Sequence, residues 1–291
     1  MARKITNSPF PINNPGLFML EIQTTGSNET FTLPLVSDGT FNFIVNWGDN
    51  SAEETITTYN VGNAHIYAVA GIYIISMKGT CTKFDFNLQR TSCIKVKRLL
   101  DFVDMGFTEL SFCGCTNLTF IASNMKRLTH LTTAYLMFEE CSSLTTIPAG
   151  IFEGSTGITS FALTFQLCSS ITSIPTGLFD NNTSVTTFGG VFNGCSLLSS
   201  IPTHLFDNNT LVKYFAYVFG SCTLLSSIPT GLFDNNILVT TFAGAFNNCN
   251  LLDGDAPELW LRVPEPTGSS CFTNCTNLDN YASIPDDWKG L

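Results

Sequence analysis

The stretch Phe179–Thr210, FDNNTSVTTFGGVFNGCSLLSSIPTHLFDNNT, decides the fold because it contains its own beginning again. Phe-Asp-Asn-Asn-Thr opens it at Phe179 and closes it at Phe206. Outward from there, seven cysteines keep the same register: Cys115, Cys141, Cys168, Cys195, Cys222, Cys249 and Cys275, spaced by 26, 27, 27, 27, 27 and 26 residues. A Phe stands three residues before each, from Phe112 to Phe272, and a Leu or Ile three after each, from Leu118 to Leu278. The central copies add an Ile-Pro pair (Ile147-Pro148, Ile174-Pro175, Ile201-Pro202, Ile228-Pro229), and most then run on through Leu-Phe and Asp-Asn-Asn.

Pro, Gly and Asn punctuate every unit, which excludes a coiled coil. A single unit of this size cannot bury its apolar face, whereas stacked units share a continuous core. A solenoid is therefore expected. The order F-x-x-C-x-x-L-x-x-I-P resembles the BspA-like class of leucine-rich repeats, over roughly residues 90–291. That resemblance implies a surface protein of a bacterium or phage. The unit is longer than the common form, which the Asp-Asn-Asn insert explains. Ala256-Pro257 with Trp260, and Ile284-Pro285 with Trp288, depart from the pattern as terminal caps do.

Residues 18–78 read differently. FMLEIQ, TFTLPL, FNFIVNW, ETITTY, AHIYAV and IYIISMKG alternate apolar with polar positions between turn residues, the pattern of a small all-β sandwich. Asn46-Trp47-Gly48-Asp49-Asn50-Ser51, then His65-Ile66-Tyr67 and Gly71-Ile72-Tyr73, resemble a PKD-type domain, with Asn50 in place of its second Gly. Such a domain implies a spacer or mount. The fold class expected is mainly β: a PKD-like (Ig-like) β-sandwich over 18–88, then a leucine-rich-repeat solenoid of ~27-residue repeats over 89–291. The solenoid has an irregular cap from about residue 253, and residues 1–17 read as an arm or linker.

Composition narrows the function. The chain of 291 residues is 44% hydrophobic, enough for a large core, but only 12% charged, so Ser, Thr and Asn must supply its polar surface. Residues 1–127 hold ten acidic and ten basic side chains; residues 128–291 hold 13 acidic ones against Lys213, Arg262 and Lys289. That half would repel a phosphate backbone, so no nucleic-acid partner is expected. The apolar runs are too short for direct membrane insertion, and MARKITNSPFPINNPG lacks the apolar core of a secretory signal. Work without Sec export is the expectation.

Chemistry-bearing residues read as structural. The 11 cysteines are expected to be free buried thiols. The close pairs Cys113/Cys115 and Cys271/Cys275 lack a nearby His to complete a zinc site. His65 falls on the His-x-Tyr element, and His204 takes a slot held by Gly177 and Gly231, so neither is expected to be catalytic. Asp180, Asp207 and Asp234 supply one carboxylate per turn, which suits an Asx-type turn better than calcium. No enzyme, metal or cofactor is expected.

What remains is variation between copies. Tyr135, Lys213, Tyr214 and Tyr217 break a Thr/Gly/Ala background and are the candidate partner-binding residues. The expected function is non-enzymatic surface recognition or adhesion. The form favoured is a phage virion appendage, a head or tail fibre or decoration on the virion surface, presenting the solenoid to a host protein or glycan. Its N-terminal arm and domain would hold other virion or surface proteins, and a homo-oligomer is compatible. The alternatives are a bacterial cell-surface adhesin and a purely structural decoration protein.

Overall fold

The computed structural model describes residues 16–291, so all but the last two residues of the expected arm lie outside the described residues. The protein is mainly β. The six alternating runs near the start are strands β1 (Phe18–Thr24), β2 (Glu29–Thr32), β3 (Phe41–Asn46), β4 (Glu54–Ile56), β5 (Ala64–Tyr67) and β6 (Gly71–Cys81). In β3 the alternation is plain: Phe41, Phe43 and Val45 are buried while Asn42 and Ile44 face out. β7 (Lys83–Asp85), the single helical turn α1 (Arg90–Cys93), β8 (Val96–Asp101), β9 (Glu109–Ser111) and β10 (Phe120–Ile121) follow. One six-stranded sheet runs β10-β8-β1-β6-β3-β4, and two small ones pair β2 with β5 and β7 with β9.

The repeat begins inside this region. β7 and β9 are parallel, with Phe84 opposite Leu110, one repeat length apart. β10 pairs in parallel with β8, which is itself antiparallel to β1. The first copies thus grow directly from the N-terminal sheet. Phe18 of β1 meets Phe84, Phe102 and Phe107 at 5.8, 5.6 and 5.2 Å between ring centroids.

From there each copy lies on the one before. Phe161, Leu163, Phe165 and Leu167 donate their N–H groups to the carbonyls of Thr187, Gly189, Val191 and Asn193, at 2.8–3.0 Å. Phe188, Gly190, Phe192 and Gly194 repeat this onto Tyr214, Ala216, Val218 and Gly220. Within each copy tight turns interrupt the ladder, because residues five and one before the cysteine take left-handed φ. Regular strands therefore shrink to single bridges joining Ser160, Thr187, Tyr214, Thr241 and Thr267.

Equivalent side chains form columns. The Phe column 112-138-165-192-219-246-272 stacks with centroids 5.5–5.9 Å apart and planes within 18° of parallel. Two further columns, 161-188-215-242 and 152-179-206-233, interleave with it. Each buried ring contributes roughly 1.5–3 kcal/mol, so the columns dominate the stabilisation of the stack. All 11 cysteines are free and buried. The repeat thiols also have partners: Cys168, Cys195, Cys222 and Cys249 donate to the carbonyls of Phe138, Phe165, Phe192 and Phe219 in the preceding copy, at 3.0–3.2 Å.

The Asp-Asn-Asn corner forms another column. Buried Asn209 donates to Phe179 O (3.1 Å) and Asn182 O (2.9 Å); Asn182 and Asn236 do the same one copy earlier and later. These amides serve the preceding copy rather than their own turn, a longer reach than an Asx turn has. In the earlier copy Ser155 fills the slot and donates to Leu128 O. After the last Asn, the Arg262 guanidinium takes the same two acceptors, Asn236 O at 3.0 Å and Phe233 O at 2.7 Å.

The chain's own end closes the stack. Ser270 and Phe272 donate to Asp287 O and Trp288 O in the short helix α2 (Asp286–Lys289) and thus find there what a next copy would supply. Trp288, fully buried, lies flat on Gly268, where any side chain would collide with the indole.

Candidate functional site

The four candidate residues all lie on the laddered segment, so they share one side of the stack. Tyr135 sits six residues before Cys141; Lys213, Tyr214 and Tyr217 sit nine, eight and five before Cys222. Tyr135, Tyr214 and Tyr217 are 51%, 48% and 49% exposed, half bedded and half free, which suits a contact residue. The fold brings Lys213, Tyr214 and Tyr217 together. Tyr135 stands three copies away, ~17 Å along the stack at the observed step, and belongs to the same side but not to the same cluster.

Each side chain has a local reason for its pose. Thr132, Thr159, Thr186, Thr240 and Thr267 form a column whose hydroxyls donate to a carbonyl of the preceding copy at 3.1–3.3 Å. Lys213 interrupts that column. It keeps the backbone bond to Thr186 O at 2.9 Å but has no hydroxyl to donate. Its ammonium makes no ion pair among the described residues, while Lys289 pairs with Asp286 at 3.1 Å and Arg262 is spent on carbonyls. Tyr214 occupies the bridging position between Thr187 and Thr241.

Tyr217 is the strained member. Its φ is 55°, in a column where neighbouring copies place Gly190 and Gly244. Left-handed backbone costs a tyrosine roughly 1–2 kcal/mol. Its ring lies across Gly244, so closely that a methyl group there would overlap it. Leu163 lies over Gly190 in the same way. That Leu136, Leu163 and Tyr217 share the left-handed backbone of Gly190 and Gly244 was not apparent from the residues alone.

The other chemistry-bearing groups sit elsewhere. Burial pushes the thiols of Cys81, Cys222 and Cys275 up to about 12 and those of Cys115, Cys141, Cys195 and Cys271 well above the normal range. Cys93 differs: a hydrogen bond with the Cys115 thiol holds it below its ordinary value against burial, yet it is only 1% exposed. Cys113 donates to Glu139 Oε2 at 3.0 Å. Among the described residues no three His, Cys, Asp or Glu side chains gather closely enough to hold a metal ion.

His65 is part of an N-terminal cluster, 2.7 Å from Asp49 and stacked on Trp47 at 5.0 Å, with the Tyr67 hydroxyl donating to Trp47 O at 2.8 Å. Burial alone would raise Asp49, but hydrogen bonds from Ser51 and His65 outweigh it and hold the carboxyl below its usual value. His204 is exposed with φ 62° in its glycine slot and pairs with Asp207 at 2.6 Å. No helix among the described residues is long and apolar enough to cross a membrane.

No protein-family model matches the chain, and no curated protein is significantly similar to it.

Proposed function

We propose that the protein is a non-enzymatic recognition protein, in which a BspA-like leucine-rich-repeat solenoid is carried on a PKD-like β-sandwich. The solenoid's laddered side contacts a host surface protein or glycan. The observation that carries this reading is the cluster of Lys213, Tyr214 and Tyr217. Two half-exposed tyrosines and an ammonium with no ion pair among the described residues replace the Thr/Gly background. Burial disfavours the thiolate at the repeat cysteines, which supports a non-catalytic role, since the thiolate is the nucleophile.

The setting we propose is a virion surface. Eleven reduced, buried cysteines suit a chain that folds in a reducing compartment, as virion proteins assembled in a cytoplasm do. The test is binding to host cells and to a glycan array by the protein and by Lys213→Ala/Tyr214→Ala/Tyr217→Ala, with circular dichroism as a folding control. Loss of binding by at least tenfold, ~1.4 kcal/mol, is expected. Undiminished binding by the folded variant removes this side as the contact face, and binding by neither protein favours a purely structural decoration. Antibody labelling of intact particles against whole cells separates virion from cell surface.

A further inference from the structure

We propose that Tyr217 is the stacking platform of a glycan subsite, on which a neutral hexopyranose lays its C–H face while the Asn193 carboxamide binds its hydroxyls. The assignment rests on the laddered side being the contact face and names the chemistry of the partner. The platform follows from a glycine. A methyl carbon on Gly244 would lie within 2.7 Å of Cδ1, Cε1 and Cζ of Tyr217 alike, which puts Gly244 under the face of the ring and not at its edge. The ring therefore lies flat on the stack, and with the residue 49% exposed its other face is open. Aromatic faces are the negative side of the ring quadrupole and attract C–H groups laid on them.

A hydrogen-bonding group stands at the rim of the ring. A Cβ on Gly220 would meet Asn193 Oδ1 at 3.0 Å and Tyr217 Cδ1 at 3.3 Å, so amide and ring border the same point. That amide makes no hydrogen bond among the described residues, whereas Asn247, its equivalent two copies on, accepts from the Asn248 amide at 2.6 Å. A carboxamide both donates and accepts, which suits neighbouring hydroxyls on one ring.

The surroundings select the occupant. The laddered segments 186–195, 213–222 and 240–249 carry one charged side chain, Lys213, so an ionic ligand finds no matching set of charges. Five and six residues before the cysteine, these copies place Gly189, Gly190, Ala216, Ala243 and Gly244 around Tyr217. Such residues make a shallow floor and not the walled pocket that an anchoring side chain of a protein partner fills. A nucleobase would stack as well, but its phosphate would enter a half of the chain with 13 acidic side chains and three basic ones. A flat face, one amide at its rim and a nearly uncharged floor match a ring that is apolar on its faces and hydroxylated around its edge, which is a pyranose.

The test uses the full chain and the methyl glycosides of glucose, galactose, mannose and N-acetylglucosamine, read by saturation-transfer NMR. At least one should bind with a Kd of about 1 mM, the range of a single shallow subsite, with saturation strongest on the C–H groups of one sugar face. Tyr217→Phe keeps the platform and should hold the affinity within about twofold. Tyr217→Leu should fold, since Leu163 lies over Gly190 in the same way, and should bind roughly fivefold more weakly or worse, as should Asn193→Ala. No binding by any of these glycosides overturns the proposal. So does wild-type affinity in Tyr217→Leu or Asn193→Ala, or a loss in Tyr217→Phe as large as in Tyr217→Leu. Host-cell binding separates the subsite from the contact face it belongs to. Periodate oxidation of the cells should abolish binding. Binding that survives periodate but not protease makes the partner a protein, so that the glycan subsite fails and the laddered side stands. Undiminished host-cell binding by Lys213→Ala/Tyr214→Ala/Tyr217→Ala removes the laddered side itself.

Discussion

Lys213 stands where the neighbouring copies place a threonine that bonds back to the copy before it. If the lysine is kept for contact, Lys213→Thr should restore the column and raise stability by ~0.5–1 kcal/mol while weakening binding. Urea midpoints and host-cell binding, measured side by side, check both signs. Gly244→Ala should lose ~1–3 kcal/mol, since the residue is left-handed and lies under the Tyr217 ring. Glu29 offers a pH test. Backbone N–H groups of Gly26 and Thr25, with Lys95, lower its carboxyl from 4.5 to about 2. A folded value below the unfolded one gives stability above the unfolded value, lost as pH falls from about 5 toward 2. Glu29→Gln should therefore flatten the fall of the urea midpoint between pH 6 and 3, an effect moderated by solvent screening. The contact candidates were legible because they break a repeated background. Their poses were not, because a left-handed φ at Leu163 or Tyr217 is a property of the ladder and not of the residue.

At the scale of the repeated element, hydrogen bonds between copies carry the specificity that ring columns lack. If the buried thiols act only as small apolar groups, Cys222→Ala should be tolerated better than Cys222→Ser. The bond to Phe192 O at 3.2 Å predicts the reverse order, by ~0.5–1.5 kcal/mol, in thermal or urea unfolding. Arg262→Leu should cost ~1–2 kcal/mol, because Asn236 O and Phe233 O lose their outer donors and the guanidinium over the Phe242 ring is lost with them. Hydrogen exchange at residues 233–242 localises that loss. The period, the inward Phe and Cys and the turn-forming Asn were readable from sequence, since each recurs. Arg262 was not, because it occurs once and imitates an amide by geometry alone. The reach of Asn209 to a neighbour copy was equally hidden, since the same letters form local Asx turns elsewhere.

At the scale of the molecule, the sheet β10-β8-β1-β6-β3-β4 passes without a break from the N-terminal strands into the first copies. A single buried apolar cluster runs from Phe18 to Trp288. Stacked repeats with only neighbour contacts can melt piecemeal. Here the shared sheet predicts one cooperative transition. Fluorescence of Trp47 at one end and of Trp260 and Trp288 at the other should change at the same urea concentration; two midpoints would refute a shared transition. Alternation in the first strands announced that sheet, but β8 and β10 carried no such signal, being short and partnered across the repeat. The uniform 5.7 Å step has a last consequence. Because copies 179–205 and 206–232 carry the same Phe, Asn and Cys columns, excising the first restores those columns and the backbone ladder with equivalents and leaves both ends intact. Such a gene can lengthen or shorten by unequal recombination in increments of one copy. The separation between Tyr135 and the Lys213–Tyr217 cluster then changes only in fixed graduations, so under the proposed recognition role a different partner pitch could be matched without inventing a new fold.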